Sequence, residues 1–281
     1  MRTVIVTGGS SGIGLAAARM LAGDGAAVVL LGRHPGRLAR AVEAVRAAGG
    51  TQPRAYQCDF AALDEVRSVA ARIRDDVPQV DVLVNNAGAL ATVSRPTVDR
   101  LDRTMQVNHL AGFLLTHLLL DRLRGTPDQP ARLITTTSMA EAWGWLDPDR
   151  PGANLGRYRL RWLAYGASKQ ANILFTVEAA RRWTDRGIVA TCFFPGLVRS
   201  RFARTSPLFG LGRLVPFLFR SPAAAARDLV WLANDPAALV PGGYFAFRQP
   251  FMATPWSTDP DRARRLWTAS LAAVGLATTG G

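Results

Sequence analysis

Lysine is nearly missing from this chain: its 34 basic residues include a single lysine, Lys169, and the rest are arginine. Cysteine is scarce as well. Cys58 and Cys192 sit in apolar runs with neither CxxC nor metal-ligand spacing, which excludes a disulfide framework and reads as two small buried hydrophobes in a reducing cytoplasm. No Cys/His/acid cluster suggests a metal. Long apolar runs are missing too. Nothing approaches the roughly 20 residues of a membrane span, and the nearest candidate, "PLFGLGRLVPFLF" (207–219), is broken by Gly, Arg and Pro. The N-terminus "MRTVIVTGG" enters a strand at once, without the apolar segment and cleavage site of an exported protein. Acidic residues number 21 against 34 basic ones, for a net charge of +13. Acids still interrupt the arginines throughout, as in "DRLDRTMQ" and "PDRARRLW", so the surplus reads as a solvated surface and no nucleic-acid partner is expected.

What is present is a regular alternation. With 281 residues, 48% of them hydrophobic, the chain can bury one large core, and one domain spanning 1–281 is expected. Short β-branched runs read as strands at 3–7, 27–32, 54–59, 81–87, 132–138, 188–194 and 243–247. Segments of helical period fall near 12–23, 36–48, 63–75, 98–124, 163–185 and 222–234. Several strands are apolar at consecutive positions, as in strands covered on both faces. The repeated β-α order specifies an α/β fold: a single doubly wound parallel sheet of about seven strands with helices on both faces. Three stretches read as irregular: a long insert at 139–162, a segment at 196–221, and the tail from about 249. Long loops in a compact domain usually carry function, so substrate selection is expected there.

After the first strand comes "TGGSSGIG", with Gly8, Gly12 and Gly14 at a strand-to-helix turn. Glycines there permit positive φ and let the backbone approach a pyrophosphate, whose charge the helix N-terminus favours. The second strand ends "LLGRHPGR". It offers no acid to grip a ribose 2′-hydroxyl; Arg33 stands there, with Arg37 one turn on, and a guanidinium suits a 2′-phosphate. NADP(H) is therefore expected over NAD(H).

The lone lysine lies four residues after Tyr165, on the same face of a helix. Such a placement, with only four tyrosines in the chain, is expected by chance in about one sequence in 70. A phenol of ordinary pKa is a poor proton donor or acceptor at neutral pH; a neighbouring ammonium favours the phenolate and lowers that value.

With these residues the chain resembles the short-chain dehydrogenase/reductase family over nearly its whole length. The resemblance is carried by "TGGSSGIG" (7–14), "CDF" (58–60), "NNAG" (85–88), "VNHLAGFLLTHLLL" (107–120), "TTTS" ending in Ser138, "YGASK" (165–169) and "FPGLVRS" (194–200). It implies a Rossmann fold and hydride transfer between a nicotinamide and a carbonyl or alcohol carbon. On this resemblance Tyr165 is the general acid or base and Ser138 binds the substrate oxygen. Lys169 binds the nicotinamide ribose and depresses the tyrosine pKa, and Asn108 holds a water that links Lys169 to solvent. For the cofactor it implies Ser10, Ser11, Ile13, Arg33, Asp59 and Phe60 at the adenosine and phosphate end. Asn86, Ala87 and Gly88 line the groove, and Pro195, Gly196, Val198 and Ser200 flank the nicotinamide. Ser200 replaces the threonine usual in the family, and the glycine turn lacks the basic residue that some NADP-preferring members carry there.

The 27 positions from Ser138 to Tyr165 exceed what is usual in the family, and together with "SKQANILFT" they resemble its retinol-dehydrogenase-like branch, whose substrates are apolar. Met139, Trp143, Trp145 and Trp162 either line an apolar pocket or pack the insert onto the core. Segment 207–219 reads as a lid, the alternative being a surface resting on a membrane without stable insertion. The leading expectation is reduction of a bulky apolar ketone or aldehyde, or the reverse alcohol oxidation. Reduction of a C=C bond and a non-catalytic nucleotide sensor are the alternatives. Long helices of this kind form dimer interfaces in many relatives, so a homodimer fits, as does a monomer.

Overall fold

A computed structural model describes residues 1–49, 51–90, 96–126, 128–153, 161–198 and 219–277. In the first strand, β1 (Thr3–Thr7), three consecutive residues, Val4, Ile5 and Val6, are fully buried. Side chains of a strand alternate between faces. Ile5 therefore enters one hydrophobic core while Val4 and Val6 enter another, and both sides of the sheet are dry. The remaining strands are β2 (Ala27–Gly32), β3 (Arg54–Gln57), β4 (Val82–Asn85), β5 (Ala131–Thr136), β6 (Ile188–Phe194), β7 (Tyr244–Ala246) and β8 (Gln249–Pro250). They form one sheet in the order β3-β2-β1-β4-β5-β6-β7-β8, parallel except for the last pair. The strand order reverses between β1 and β4, and such a switch point opens a crevice beyond the C-terminal strand ends.

Helices α1 (Gly12–Gly23), α2 (Pro35–Arg46) and α7 (Pro222–Asn234) cover the face that holds Val4 and Val6. On the opposite face lie α3 (Leu63–Asp76), α5 (Ala111–Leu118) and α6 (Arg161–Trp183), joined by α9 (Pro260–Ala273). The short α4 (Arg103–Met105) precedes α5, and α8 (Pro255–Thr258) precedes α9.

The expected single sheet is present; its eighth strand arises because a two-residue turn after β7 folds the chain back as an antiparallel edge. Two expectations are corrected. The helix expected at 98–124 starts only at Arg103, where Asp102 caps it by accepting from Met105 N at 2.8 Å. It runs through one π turn (Gln106–Leu110) and ends at Leu118. The tail expected to be irregular is helical, and α9 places Leu266, Trp267 and Leu271 in the core. Its start carries a local signal, since Asp259 accepts from Arg262 N at 2.8 Å and Pro260 occupies the first helical position. Trp267 packs edge-on against Phe113, His117 and Trp183 and stacks on Phe175, with centroids 4.9 to 5.9 Å away. His109 reaches the same helix through Ser270 Oγ at 3.0 Å.

Candidate active site

The crevice is built first from Thr7, a residue sequence reasoning did not single out. Its hydroxyl donates to Val84 O and accepts from Asn86 N and Ala87 N at 2.9 Å each, joining the end of β1 to the chain leaving β4. Asn86 Nδ2 donates to Thr7 O at 3.0 Å. Gly8 and Gly12 have φ of +66° and +58°, the left-handed region. A Cβ on Gly14 would lie 2.6 Å from Gly8 O and 2.7 Å from Asn86 Nδ2, so no side chain fits where α1 crosses the turn. Ser11 precedes α1 in extended conformation and does not cap it through its side chain. The first N–H groups of the helix are thus left without a capping side chain beside a glycine-lined turn. This is a cradle whose chemistry fits a pyrophosphate.

The other residues expected at the adenosine end lie around this turn. Ser10 packs against Gly32 at the end of β2, and Ile13 lies against the α1-side core. Arg33 is exposed just past β2 with its guanidinium Nη2 3.2 Å from His34 Nε2, and Arg37 is half-buried in the first turn of α2. Asp59 folds a turn after β3, its carboxylate accepting from Ala61 N at 3.0 Å. Phe60 has its ring buried in the core, and its carbonyl accepts from Gln106 Nε2 at 3.2 Å.

Across the switch point, α6 brings the expected catalytic residues together. Lys169 is buried, and its Nζ donates to Thr136 O at 3.1 Å and lies 5.3 Å from the centroid of the Tyr165 ring. A Cβ on Gly88 would stand 3.8 Å from that nitrogen and 3.5 Å from Asn108 Oδ1, which closes the group on the β4 side. Asn108 sits in the π turn, a feature frequent at functional sites. Its Oδ1 accepts from Ala89 N at 2.7 Å and its Nδ2 donates to Ser168 Oγ at 2.9 Å; Ser168 in turn donates to Tyr165 O at 2.7 Å. Ser138, just past β5, accepts from Ala140 N at 3.2 Å and hydrogen-bonds the Tyr165 phenol.

The electrostatics correct one expectation. Burial pushes the Tyr165 phenol up from its ordinary pKa, opposed by the hydrogen bond from Ser138. Burial pushes the Lys169 ammonium down to about 8. Desolvation is the largest influence on both groups, and the ammonium lies over the ring face, hydrogen-bonded to a carbonyl. At neutral pH the phenol therefore carries its proton.

On the far side, Pro195 and Gly196 follow β6. Gly196 has φ of +82°, and a Cβ there would meet Arg220 Cδ at 2.7 Å. Arg220 donates to Pro195 O at 2.9 Å, forms an ion pair with the buried Asp228 and bridges to Val198, which is buried. Ser200 and the segment 207–218 lie outside the described residues.

In the insert, Trp143 and Trp145 are 64% and 77% exposed, so neither packs the insert onto the core; Trp162 lies edge-on to Tyr165 at 5.8 Å. The insert is held by residues that sequence reasoning missed. Glu141 is buried, and its carboxylate accepts from Thr254 N at 3.1 Å, Thr254 Oγ1 at 2.7 Å and Ser257 Oγ. Gln170 donates to the carbonyls of Glu141 and Gly144 and accepts from Leu146 N at 3.2 Å. Gly144 and Gly166 meet backbone to backbone, a Cβ on Gly144 falling 2.2 Å from Gly166 C. Among the described residues no group of three His, Cys, Asp or Glu side chains could hold a metal, and no helix is long and apolar enough to cross a membrane.

Comparison with known proteins agrees with this geometry. A candidate daunorubicin C-13 ketoreductase of Streptomyces sp. (strain C5) is 45% identical over 275 residues, 98% of this chain and 93% of that protein. Human retinol dehydrogenase 13 is 35% identical over 286 residues, covering 98% of this chain and 85% of its own. The structure of Pseudomonas aeruginosa RhlG in an NADP active-site complex superimposes with a TM-score of 0.71 at 25% identity, covering 88% of this chain and 94% of that one. The short chain dehydrogenase profile matches residues 2–147. A glycine-lined cradle at the switch point, a serine, tyrosine and lysine gathered across it, and this likeness in sequence lead to one conclusion: the chain belongs to the short-chain dehydrogenase family of oxidoreductases.

Proposed function

We propose that this enzyme is an NADPH-dependent reductase of bulky, apolar ketones, within a branch that includes the daunorubicin C-13 ketoreductase and the retinol dehydrogenases. The observation that carries the reading is the Ser138–Tyr165–Lys169 group at the mouth of the switch-point crevice, its lysine buried and its serine and tyrosine half-buried. Similarity to the Streptomyces ketoreductase and to an enzyme bound to NADP supports the substrate class and the phosphorylated cofactor.

The cradle of Gly8, Gly12 and Gly14 would hold the pyrophosphate, and Arg33 and Arg37 would meet the 2′-phosphate. When bound, the dinucleotide supplies a hydride equivalent for the substrate carbon. The chain does the rest. Ser138 hydrogen-bonds the substrate oxygen and fixes it beside the phenol, so that the proton has a short path. Tyr165 donates its proton to the developing alkoxide. Its raised pKa keeps that proton available at neutral pH, the state a reduction requires. Lys169, anchored on Thr136 O, brings positive charge to the site where phenolate forms and hydrogen-bonds the ribose. Asn108 fixes Ala89 and Ser168 around the lysine, and a water on its remaining lone pair would return the proton from solvent.

The test is NADPH oxidation at 340 nm with a panel of polycyclic ketones and aldehydes. Tyr165→Phe is expected to lower kcat about 10²- to 10⁴-fold while leaving NADPH binding unchanged. Equal turnover by both proteins on a good substrate would remove Tyr165 from its role.

A further inference from the structure

The hydroxyl of Tyr244 is a buried polar group for which the mechanism above has no use. The residue is 7% exposed, and its hydroxyl oxygen has no hydrogen-bond partner. Buried hydroxyls are almost always paired, and an orphan is costly enough that a phenylalanine would pack better in its place. Three polar groups near it are committed elsewhere. The Glu141 carboxylate is spent on Thr254 and Ser257, the Cys192 thiol hydrogen-bonds Thr176, and the Tyr165 phenol is bonded by Ser138. Tyr244 stands beside Cys192, which pairs with Thr135 next to the Thr136 carbonyl that holds Lys169, and it packs with Ile173 of α6, on the side of the sheet that bears Tyr165.

The ring of Tyr244 also begins an aromatic wall. Phe251 meets it edge-on at 5.2 Å, Phe194 lies 6.0 Å from Phe251, and Phe247 lies 6.3 Å from Phe194. Phe247 reaches the loop after β6, its Cε1 3.4 Å from where a Cβ on Gly196 would be. Phe251 and Phe247 remain 39% and 53% exposed, so the wall runs from a buried hydroxyl to open surface beside the loop expected at the nicotinamide. The chain accepts strain to build it. Phe247 and Arg248, the two residues of the β7–β8 turn, both have positive φ, +54° and +64°, at positions where Asn-Gly is the usual choice.

We infer that Tyr244 is a specificity-determining residue: its hydroxyl donates a hydrogen bond to a second oxygen of the substrate, distinct from the one reduced, while the wall takes the substrate's fused rings. The preferred substrates are then polycyclic aromatic ketones that also carry a quinone, ketone or phenolic oxygen. This rests on the ketone-reductase reading and narrows it.

The experiment compares 2-acetylanthraquinone with 2-acetylanthracene, following reduction of the acetyl group by chromatography, in wild type, Tyr244→Phe and Tyr165→Phe. Wild type should favour the quinone about tenfold or more in kcat/KM. Tyr244→Phe should erase that preference by raising KM for the quinone, leave kcat and the anthracene constants unchanged, and melt no lower than wild type. Unchanged kinetics on both ketones, the result expected if the hydroxyl binds only a water, would overturn the inference, as would an equal loss on both. If neither ketone turns over, their Kd for NADP⁺-loaded protein replaces KM. Equal Kd values in wild type and Tyr244→Phe, or no binding at all, then overturn it. Turnover that survives Tyr165→Phe defeats the reductase reading instead.

Discussion

Acid should unfold this protein through two histidines that have no catalytic part. Burial pushes His109 down to about 3 and His117 down to about 4. Both pack among Phe113, Phe175, Trp183 and Trp267, where α9 closes over α5 and α6. In the unfolded chain each ring takes up a proton near pH 6.5; in the folded chain neither does until much lower pH. A pKa depressed by folding contributes stability that is whole above about 6.5 and declines as pH falls towards the folded value. Each proton is worth about 1.36 kcal/mol per pH unit. Two rings over the roughly 1.5 units from 6.5 to 5 therefore remove about 4 kcal/mol, much of a typical stability of about 5–15 kcal/mol. The window lies above the range in which carboxylates titrate, so the two effects separate. Urea unfolding followed by tryptophan fluorescence at pH 7.5, 6.0 and 5.0 measures it. Wild type should lose about two protons' worth of slope, and His109→Gln with His117→Gln should nearly flatten the curve. A slope below half a proton in wild type, or an unchanged slope in the double variant, would refute the reasoning.

Further outcomes follow from the site. Because the Lys169 ammonium is held at about 8 and is lost as pH rises through that value, kcat/KM for NADPH-dependent reduction should fall above pH 8; a flat profile from 7 to 9.5 would show that the charge is not required. Arg33→Asp should cut the NADPH over NADH ratio of kcat/KM by roughly 50-fold or more, as loss of a charge-assisted pair and gain of repulsion demand. An unchanged ratio would move phosphate recognition to other groups. Glu141→Ala leaves Thr254 N, Thr254 Oγ1 and Ser257 Oγ without their acceptor and should cost about 3 kcal/mol in denaturant unfolding; wild-type stability would mean that the tail does not depend on this carboxylate.

How much of this was legible in the sequence depends on how local each cause is. β1, β2 and β6 and helix α7 have the bounds that the apolar runs and caps specify, because burial on both faces writes a strand into a handful of consecutive residues. The glycine turn and the Tyr165–Lys169 pair were readable for the same reason: a turn and one helical turn each span few residues. Glu141 was not, since its partners lie 113 and 116 residues further on. The direction of the Tyr165 shift was hidden as well, because the ammonium is visible in the sequence and the burial that outweighs it is not. The tail was readable but missed: Asp259 and Pro260 mark a helix start by ordinary capping rules. The π turn around Asn108 leaves no local mark of this kind.

The contact between Gly144 and Gly166 has a consequence for how such enzymes diversify. Main chain rests on main chain there, so Gly144 can take no side chain, and the stretch leading to it from Ser138 cannot change its length, without dislodging the helix that bears Tyr165. Residues beyond Leu146 are released from that restriction. New substrate ranges can accordingly be grafted downstream while the reacting centre is inherited intact, and a designer seeking altered selectivity should cut and splice after that leucine.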